Sequence, residues 1–489
     1  MKYIIYPAIG FARIGDSPEM FVGPETIGSH GTELDTGAQV SQFKDGQFKV
    51  RKQAARFHLY QQDNNGPIVP AALPQGAVIS WNVSLANRKD AVIRNGGEPP
   101  ATVAEAHAVD IASRANRVIA ASDSIASTAG TAAIKPLSGT HAGSLVKLGE
   151  LRVDAQGRLL VLGGSMISES HPDTPLTTSF YVNPNWHDDV SDGPVSASIQ
   201  FPAGNTETAA GAWVIVTPPD FAPGAQPIVT MYDEILQVAI FNFGMQIPAH
   251  PSFTNDIYPI IRNARSLGWV HRDVTQANPT NESNWTQISE NYALLGAPGG
   301  TNQALRKTDR DLVKNVRKLL NQYVVPSWKL QYLDAWVQGT FTSDWQGVPA
   351  VATVPSPESL TRSALEGAVG QGFYPGIEAG RILTDPAIYA TPFDFRIAPN
   401  ALRPGDVTAL MAQPWQSDFL KCRGNWWPTQ RPDLAPQPGG TFEFWQRPIA
   451  KGDHAGMVKN VKRLGMIVVN VDANGVQVSA FEQGRDPSL

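Results

Sequence analysis

Ala77-Val78-Ile79-Ser80-Trp81-Asn82-Val83-Ser84-Leu85 alternates apolar and polar side chains from Ile79 onward, the period-two pattern of a half-buried β-strand. Similar short runs recur at Leu159-Leu160-Val161-Leu162 and at Ala212-Trp213-Val214-Ile215-Val216, the latter just ahead of Pro218-Pro219. Gly, Asn and Asp bound these runs, as turns require. The segment Ala101 to Ala121 is alanine-rich without an apolar stripe, which suits either a solvent-lying helix or a mobile excursion. After about Pro251 the spacing turns helical. Ile257, Ile260 and Ile261 recur at helical intervals within Asn255 to Ala264, and Leu312, Val316, Leu319 and Leu320 share one face of Lys307 to Leu320. Helices are also expected over Ser359 to Gly367 and, with proline in the first turn, Pro404 to Met411. Met466-Ile467-Val468-Val469 reads as a late strand. The fold class expected is α+β, mostly β, with a β-rich region 1–250 packed on a mixed helix and strand region 251–489. Repeats of 20 to 50 residues and regular βα units are lacking, so solenoid, purely helical and doubly wound parallel architectures are excluded.

The 489 residues are 42% hydrophobic and 17% charged with net charge −5, a composition that folds around a large core. Its Lys and Arg residues are scattered, which excludes a nucleic-acid footprint or a polybasic membrane patch and points to a small-molecule ligand. Gly (43) and Pro (39) imply many turns and long loops. The one cysteine, Cys422, allows neither an intramolecular disulfide nor a cysteine-based zinc cluster. The apolar run at Met1 to Pro7 is too short for a signal peptide, and none approaches a spanning helix, so no membrane association and a cytoplasmic location are expected.

Four segments could carry chemistry. Trp186-His187-Asp188-Asp189-Val190-Ser191-Asp192-Gly193-Pro194 packs one imidazole and three carboxylates into six residues; it suits a hard divalent cation or, more simply, a turn whose carboxylates cap amides. In Gly370-Gln371-Gly372-Phe373-Tyr374-Pro375-Gly376-Ile377-Glu378, Glu378 could serve as acid or base if desolvated, or simply be hydrogen-bonded in a loop. The stretch from Gln413 to Pro428 holds Trp415, Trp426, Trp427 and Cys422; it reads as an aromatic pocket wall, or as a site where an indole is oxidised to a quinone. The cations of Val50-Arg51-Lys52-Gln53-Ala54-Ala55-Arg56-Phe57 form a solvated face or hold a substrate carboxylate.

Read in order, Tyr6 to Pro18, Lys52 to Phe57, Trp81 to Asn87, Leu160 to Gly164, Trp186 to Asp189, Pro218 to Gly224, Ser252 to Pro259, and Pro414-Trp415-Gln416 followed by Trp426-Trp427-Pro428 resemble the LodA-like quinoprotein family, which includes lysine ε-oxidase and glycine oxidase. The blocks are collinear from residue 3 to about residue 470. The resemblance implies a cysteine tryptophylquinone, made by oxygenating a tryptophan and joining it to a cysteine, with Trp415 as the quinone residue. It implies oxidation of an amine or amino acid to aldehyde or oxo acid, with oxygen reduced to hydrogen peroxide and ammonia released. A separate flavoprotein as maturation partner and a homo-oligomer are further expectations.

In the family pattern the cross-linking cysteine precedes the quinone tryptophan, near the Phe-Tyr-Pro-Gly segment. Here residues 360–380 hold no cysteine; the counterpart falls near Gly367 or Ala368, and Cys422 matches a second cysteine position. The chain therefore resembles a member lacking the cross-linking cysteine. Three readings stay open. Trp415 is oxidised alone, or Cys422 reaches an indole such as Trp415 or Trp426, giving an amine or amino-acid oxidase. Alternatively the pocket does other oxidative, metal-assisted chemistry through the His187 cluster, or the protein is a binding relative without catalysis. The first is favoured because the motif around Trp415 is retained, with Trp415 and Glu378 as catalytic residues, Trp415 and Cys422 as cofactor residues, and no metal assigned. Trp415 is expected to line an internal pocket with Glu378 or another carboxylate nearby, and Cys422 to remain a buried free thiol.

Overall fold

The computed structural model describes residues 1–92, 112–177, 182–271, 287–314, 325–348, 354–370, 378–379, 381–390, 393–421 and 429–489. Strands dominate up to Thr217: β1 (Lys2–Tyr6), β2 (Ile9–Arg13), β3 (Met20–Val22), β4 (Lys52–Gln62), β5 (Val69–Pro70), β6 (Val78–Asn87), β7 (Ile119–Ala126), β8 (Lys135–His141), β9 (Ser144–Val153), β10 (Leu159–Gly163), β11 (Ser168–Ser170), β12 (Trp186–Asp188), β13 (Ser191–Gln200), β14 (Thr206–Ala210) and β15 (Ala212–Thr217). All except β11 and β12 join one 13-stranded sheet with main path β1-β14-β13-β15-β2-β4-β10-β9-β8. Among the described residues the β11 and β12 strands pair only with each other, as an antiparallel ribbon. The architecture is α+β with strands predominating.

The alternating stretch at Val78 to Leu85 forms the strand its pattern requires, with Trp81, Val83 and Leu85 buried between β13 and β7. Burying each such side chain contributes about 1.5–3 kcal/mol, and Trp81 also satisfies its indole N–H on Gly157 O at 3.0 Å. β2 and β15 pair in parallel and are buried on both faces, so β15 reads as an apolar run up to Val216, while β2 is apolar up to its last residue, Arg13. Ala12, Val214 and Val216 belong to the main core. Ile9, Phe11, Trp213 and Ile215 face the other way, onto a second core with Met231, Ile235 and Leu365. Helices Met231–Phe243 and Pro357–Glu366 supply that second layer. The first starts with a capping box between Thr230 and Asp233 and ends at Gly244, whose φ of 69° suits glycine.

Further helices span Tyr258–Ser266, Gln303–Lys314, Ser327–Gln338 and His454–Asn460, and Met466–Val471 pairs with Gln477–Gln483. The main core runs from the sheet through Tyr258 and Ile261 to Trp415, Phe419, Trp445 and Ile467. Trp415 thus lies where the strand-rich part of the chain meets the C-terminal part. No helix among the described residues is long and apolar enough to cross a membrane.

Two expectations are corrected. Within the alanine-rich segment a short, partly exposed 3-10 helix spans Ala112–Arg117, but its end, Ile119 to Ala121, is the start of β7, paired to Asn87, Ala86 and Leu85; residues 93–111 lie outside the described residues. Pro404 to Met411 is not a helix beyond a single 3-10 turn, Thr408–Leu410. The Asp192 carboxylate takes the Thr408 N–H and Oγ–H at 2.8 and 2.7 Å, diverting groups a longer helix would use.

Candidate functional site

The polypeptide around Trp415 is tied to three earlier segments. The buried Asp188 carboxylate accepts the Trp415 backbone N–H at 3.0 Å, the Asn87 amide at 3.0 Å and the Lys89 ammonium at 2.5 Å. Lys89 also donates to Ala412 O at 2.9 Å. Gln413 and Asn183 exchange side-chain to main-chain hydrogen bonds of 3.0 and 2.8 Å, and Ser168 donates to Gln416 Oε1 at 3.0 Å. Trp415 is 1% exposed, with its ring edge against Phe419 at 5.0 Å between centroids.

This tightly held stretch still has unpaired polar atoms. Trp415 Nε1, Gln416 Nε2 and Ser417 Oγ are all buried without a hydrogen-bond partner among the described residues. Buried polar groups are nearly always satisfied, so three orphans on consecutive residues mark a place suited to an additional polar group.

In the Trp186 to Pro194 segment the carboxylates serve structure. Besides Asp188 and Asp192, Asp189 accepts the Met166 N–H at 2.8 Å. That approach requires glycine at position 164, where a Cβ would lie 2.3 Å from Asp189 Oδ2. His187 does not join these carboxylates; on β12 it points to the opposite side from Asp188, as strand alternation dictates. The cations of Val50 to Phe57 are neither a solvated face nor free for a substrate. Arg51 pairs with Glu33, Arg56 with Glu25, and Lys52 donates to Gly163 O at 3.0 Å.

Glu378 is buried, ion-paired to Arg13, and accepts the Val369 N–H at 2.5 Å. Arg13 also donates to Pro218 O and Gly367 O at 2.9 and 2.8 Å, so the guanidinium that Glu378 meets is fixed. Beside them Asp220 faces a cavity of about 30 Å³ lined also by Arg13, His30 and Gly367. Burial pushes the Asp220 carboxyl up to about 7, against the pull of Arg13. Because its folded value exceeds the unfolded one, this group's stabilising contribution is complete below about pH 4 and is lost as pH rises through about 7. Asp220→Asn should therefore flatten the fall in denaturation midpoint between pH 5.5 and 8; an unchanged slope contradicts the assignment.

Trp415 and Glu378 do not hydrogen-bond one another. The link between their surroundings runs from Asp220 to Phe221, whose ring packs on Phe419 at 6.0 Å, and from Phe419 to Trp415. The 30 Å³ cavity holds about a water molecule. A groove of about 690 Å³, lined by Ser168, Glu169, Asp173, Trp186, Lys459 and Lys462 among others, is of ligand size. Trp415 lines neither, but Ser168 connects the groove to Gln416. Cys422, Trp426 and Trp427, with residues 371–377, lie outside the described residues. Arg13, Asp220 and Asp188 escaped assignment as site residues in the sequence; the signal for the first two was charge placed at the end of apolar strands.

The L-lysine epsilon oxidase N-terminal model matches residues 6–216, and the L-lysine epsilon oxidase C-terminal domain model matches residues 310–445. L-lysine 6-oxidase of Marinomonas mediterranea is 25% identical, over 86% of this chain and 71% of that protein. The crystal structure of the L-Lys epsilon-oxidase from the same organism superposes with a TM-score of 0.76 at 20% identity, covering 99% of this chain and 95% of that one. The Schiff base intermediate of that oxidase with L-Lys gives a TM-score of 0.74, also at 20% identity, with 100% and 95% covered. The two matching models, in chain order, the first containing Asp188 and the second Trp415, place the chain in the LodA-like family related to L-lysine ε-oxidase.

Proposed function

We propose that the protein is an amino-acid oxidase that converts a primary amine, oxygen and water to an oxo product, ammonia and hydrogen peroxide, using a quinone made from a tryptophan of the 413–428 segment. The observation that carries this reading is the run of buried, unpartnered polar atoms at Trp415, Gln416 and Ser417. The described residues leave polar capacity unused at the buried Trp415 Nε1 and on the two residues after it, so a ring carrying added oxygens fits this segment. When formed, the quinone supplies an electrophilic carbonyl and accepts two electrons from the amine.

The chain's own residues do the rest. Asp188, backed by Lys89, fixes the backbone of Trp415, the positioning that a reaction at a buried ring depends on. Asp418, fully buried three residues after Trp415, opens the helix Asp418–Lys421; its burial and its nearness in sequence support it as the carboxylate that takes a proton from a substrate. Glu378 acts as a positioning residue through Arg13. Cys422 is the chain's one cysteine, so any sulfur cross-link to an indole must come from it. Along the groove, Lys459 and Lys462 suit a substrate carboxylate and Asp173 its ammonium. The double variant Lys459→Ala, Lys462→Ala is expected to raise KM for an amino acid about tenfold with kcat little changed, the signature of lost ground-state binding.

The reading is tested by incubating protein co-produced with its maturation flavoprotein with the standard amino acids and simple amines, and measuring peroxide and ammonia together. Equal yields from at least one amino acid are expected. Neither product from any of them refutes the proposal.

A further inference from the structure

The ribbon of β11 and β12 brings together side chains that the reaction above does not use. Glu169 and His187 are direct cross-strand partners, and His171 lies two residues beyond Glu169, so all three project from one face. Their donor atoms lie within 4.8 Å of one another. Oxygen and nitrogen ligands sit about 2.0–2.2 Å from a zinc-class ion, so a small side-chain adjustment would close them around one cation. The His187 ring is 4% exposed, stacked on His171 at 5.7 Å, and neither of its ring nitrogens has a hydrogen-bond partner among the described residues. That second observation is independent of the clustering. An imidazole buried with both nitrogens unsatisfied is costly, and a metal ion relieves the cost at one of them.

We propose that Glu169, His171 and His187 form a binding site for one divalent cation of the zinc class. Two imidazoles and a carboxylate favour zinc or a neighbouring transition metal over magnesium or calcium, which prefer all-oxygen shells. Because Glu169 lines the 690 Å³ groove, the ion would sit in the groove wall with coordination positions open toward it. On the opposite side of the same strand Asp188 holds Trp415, so the ion would clamp the ribbon that carries this anchor. Among the described residues the surroundings include Arg117, whose guanidinium donates to His171 O at 2.6 Å and is countered by Asp90, which also pairs with Arg114. His141 packs on His187 at 4.9 Å and gives its Nε2 to the same carboxylate. The inference does not depend on the oxidase reading.

The test is titration of the chelator-treated, tag-free full chain with zinc chloride against a chromophoric zinc chelator, and with cobalt chloride followed in the visible spectrum. One equivalent bound in the micromolar range or tighter is expected, with cobalt bands of nitrogen and oxygen ligation. Glu169→Gln, at a side chain 60% exposed and harmless to the core, should weaken binding about tenfold, and His187→Ala about a hundredfold or more. His250→Ala, at an exposed histidine away from the groove, should leave it unchanged. Absence of stoichiometric binding at tens of micromolar overturns the proposal, as does binding that Glu169→Gln weakens less than about threefold.

Discussion

Lys89→Met is expected to destabilise the protein by about 3–5 kcal/mol, the cost of leaving a buried carboxylate without its cation. Lys89 and Asp188 are 1% and 0% exposed in their side chains and meet at 2.5 Å. Solvent cannot take over the charge. Such a loss is a large share of the roughly 5–15 kcal/mol that holds a folded domain together. It should show as a lower urea midpoint and reduced soluble yield. The damage should also reach the site, because the same carboxylate holds the Trp415 N–H. Adding Asp188→Asn to Lys89→Met removes the stranded charge and should restore most of the stability but not the oxidase activity. If the single variant unfolds at the parental midpoint, the Lys89 to Asp188 pair does not anchor the segment.

Trp415→Phe is expected to abolish peroxide release from amino acids, a loss of at least about a thousandfold, because phenylalanine cannot become the electron-accepting group. Its cost in stability should be modest, about 1–3 kcal/mol, since a smaller aromatic ring replaces a larger one in a packed core. Phe419 and Trp445 still supply aromatic packing there. The pairing of a folded protein with lost turnover separates this variant from Lys89→Met. Trp426→Phe and Trp427→Phe, made beside it, report whether another indole of the segment carries the chemistry. A Trp415→Phe protein that retains peroxide release places the quinone elsewhere.

Strands were the most legible part of the fold. Val78 to Leu85 announces one half-buried face, and Ala212 to Val216 announces burial on both, and each pattern survives in the structure because packing on the sheet enforces it. Where local propensity had to compete with distant partners it failed. Ala120 and Ala121 favour helix, yet they pair with Ala86 and Leu85, and the turn after Pro404 gives its amides to Asp192, over two hundred residues away in sequence. The site shows the same division. Trp415 stood out as a rare residue in a dense aromatic run. Its anchor, Asp188, could only be read as a metal ligand or a turn cap, because the bond that gives it a role spans 227 positions. His187 drew notice with its acidic neighbours, but strand alternation sends it away from them toward Glu169 and His171. Arg13 and Asp220 lay in view in apolar surroundings, and their meaning depended on Glu378 arriving from the far end of the chain.

The most direct test is peptide mass spectrometry across Gln413 to Pro428, on protein matured with its flavoprotein and shown to release peroxide, with iodoacetamide labelling to report whether the Cys422 sulfur is free. The account predicts one tryptophan of the segment, Trp415, carrying two added oxygens and lacking two hydrogens. Three unmodified tryptophans in an active preparation would contradict it.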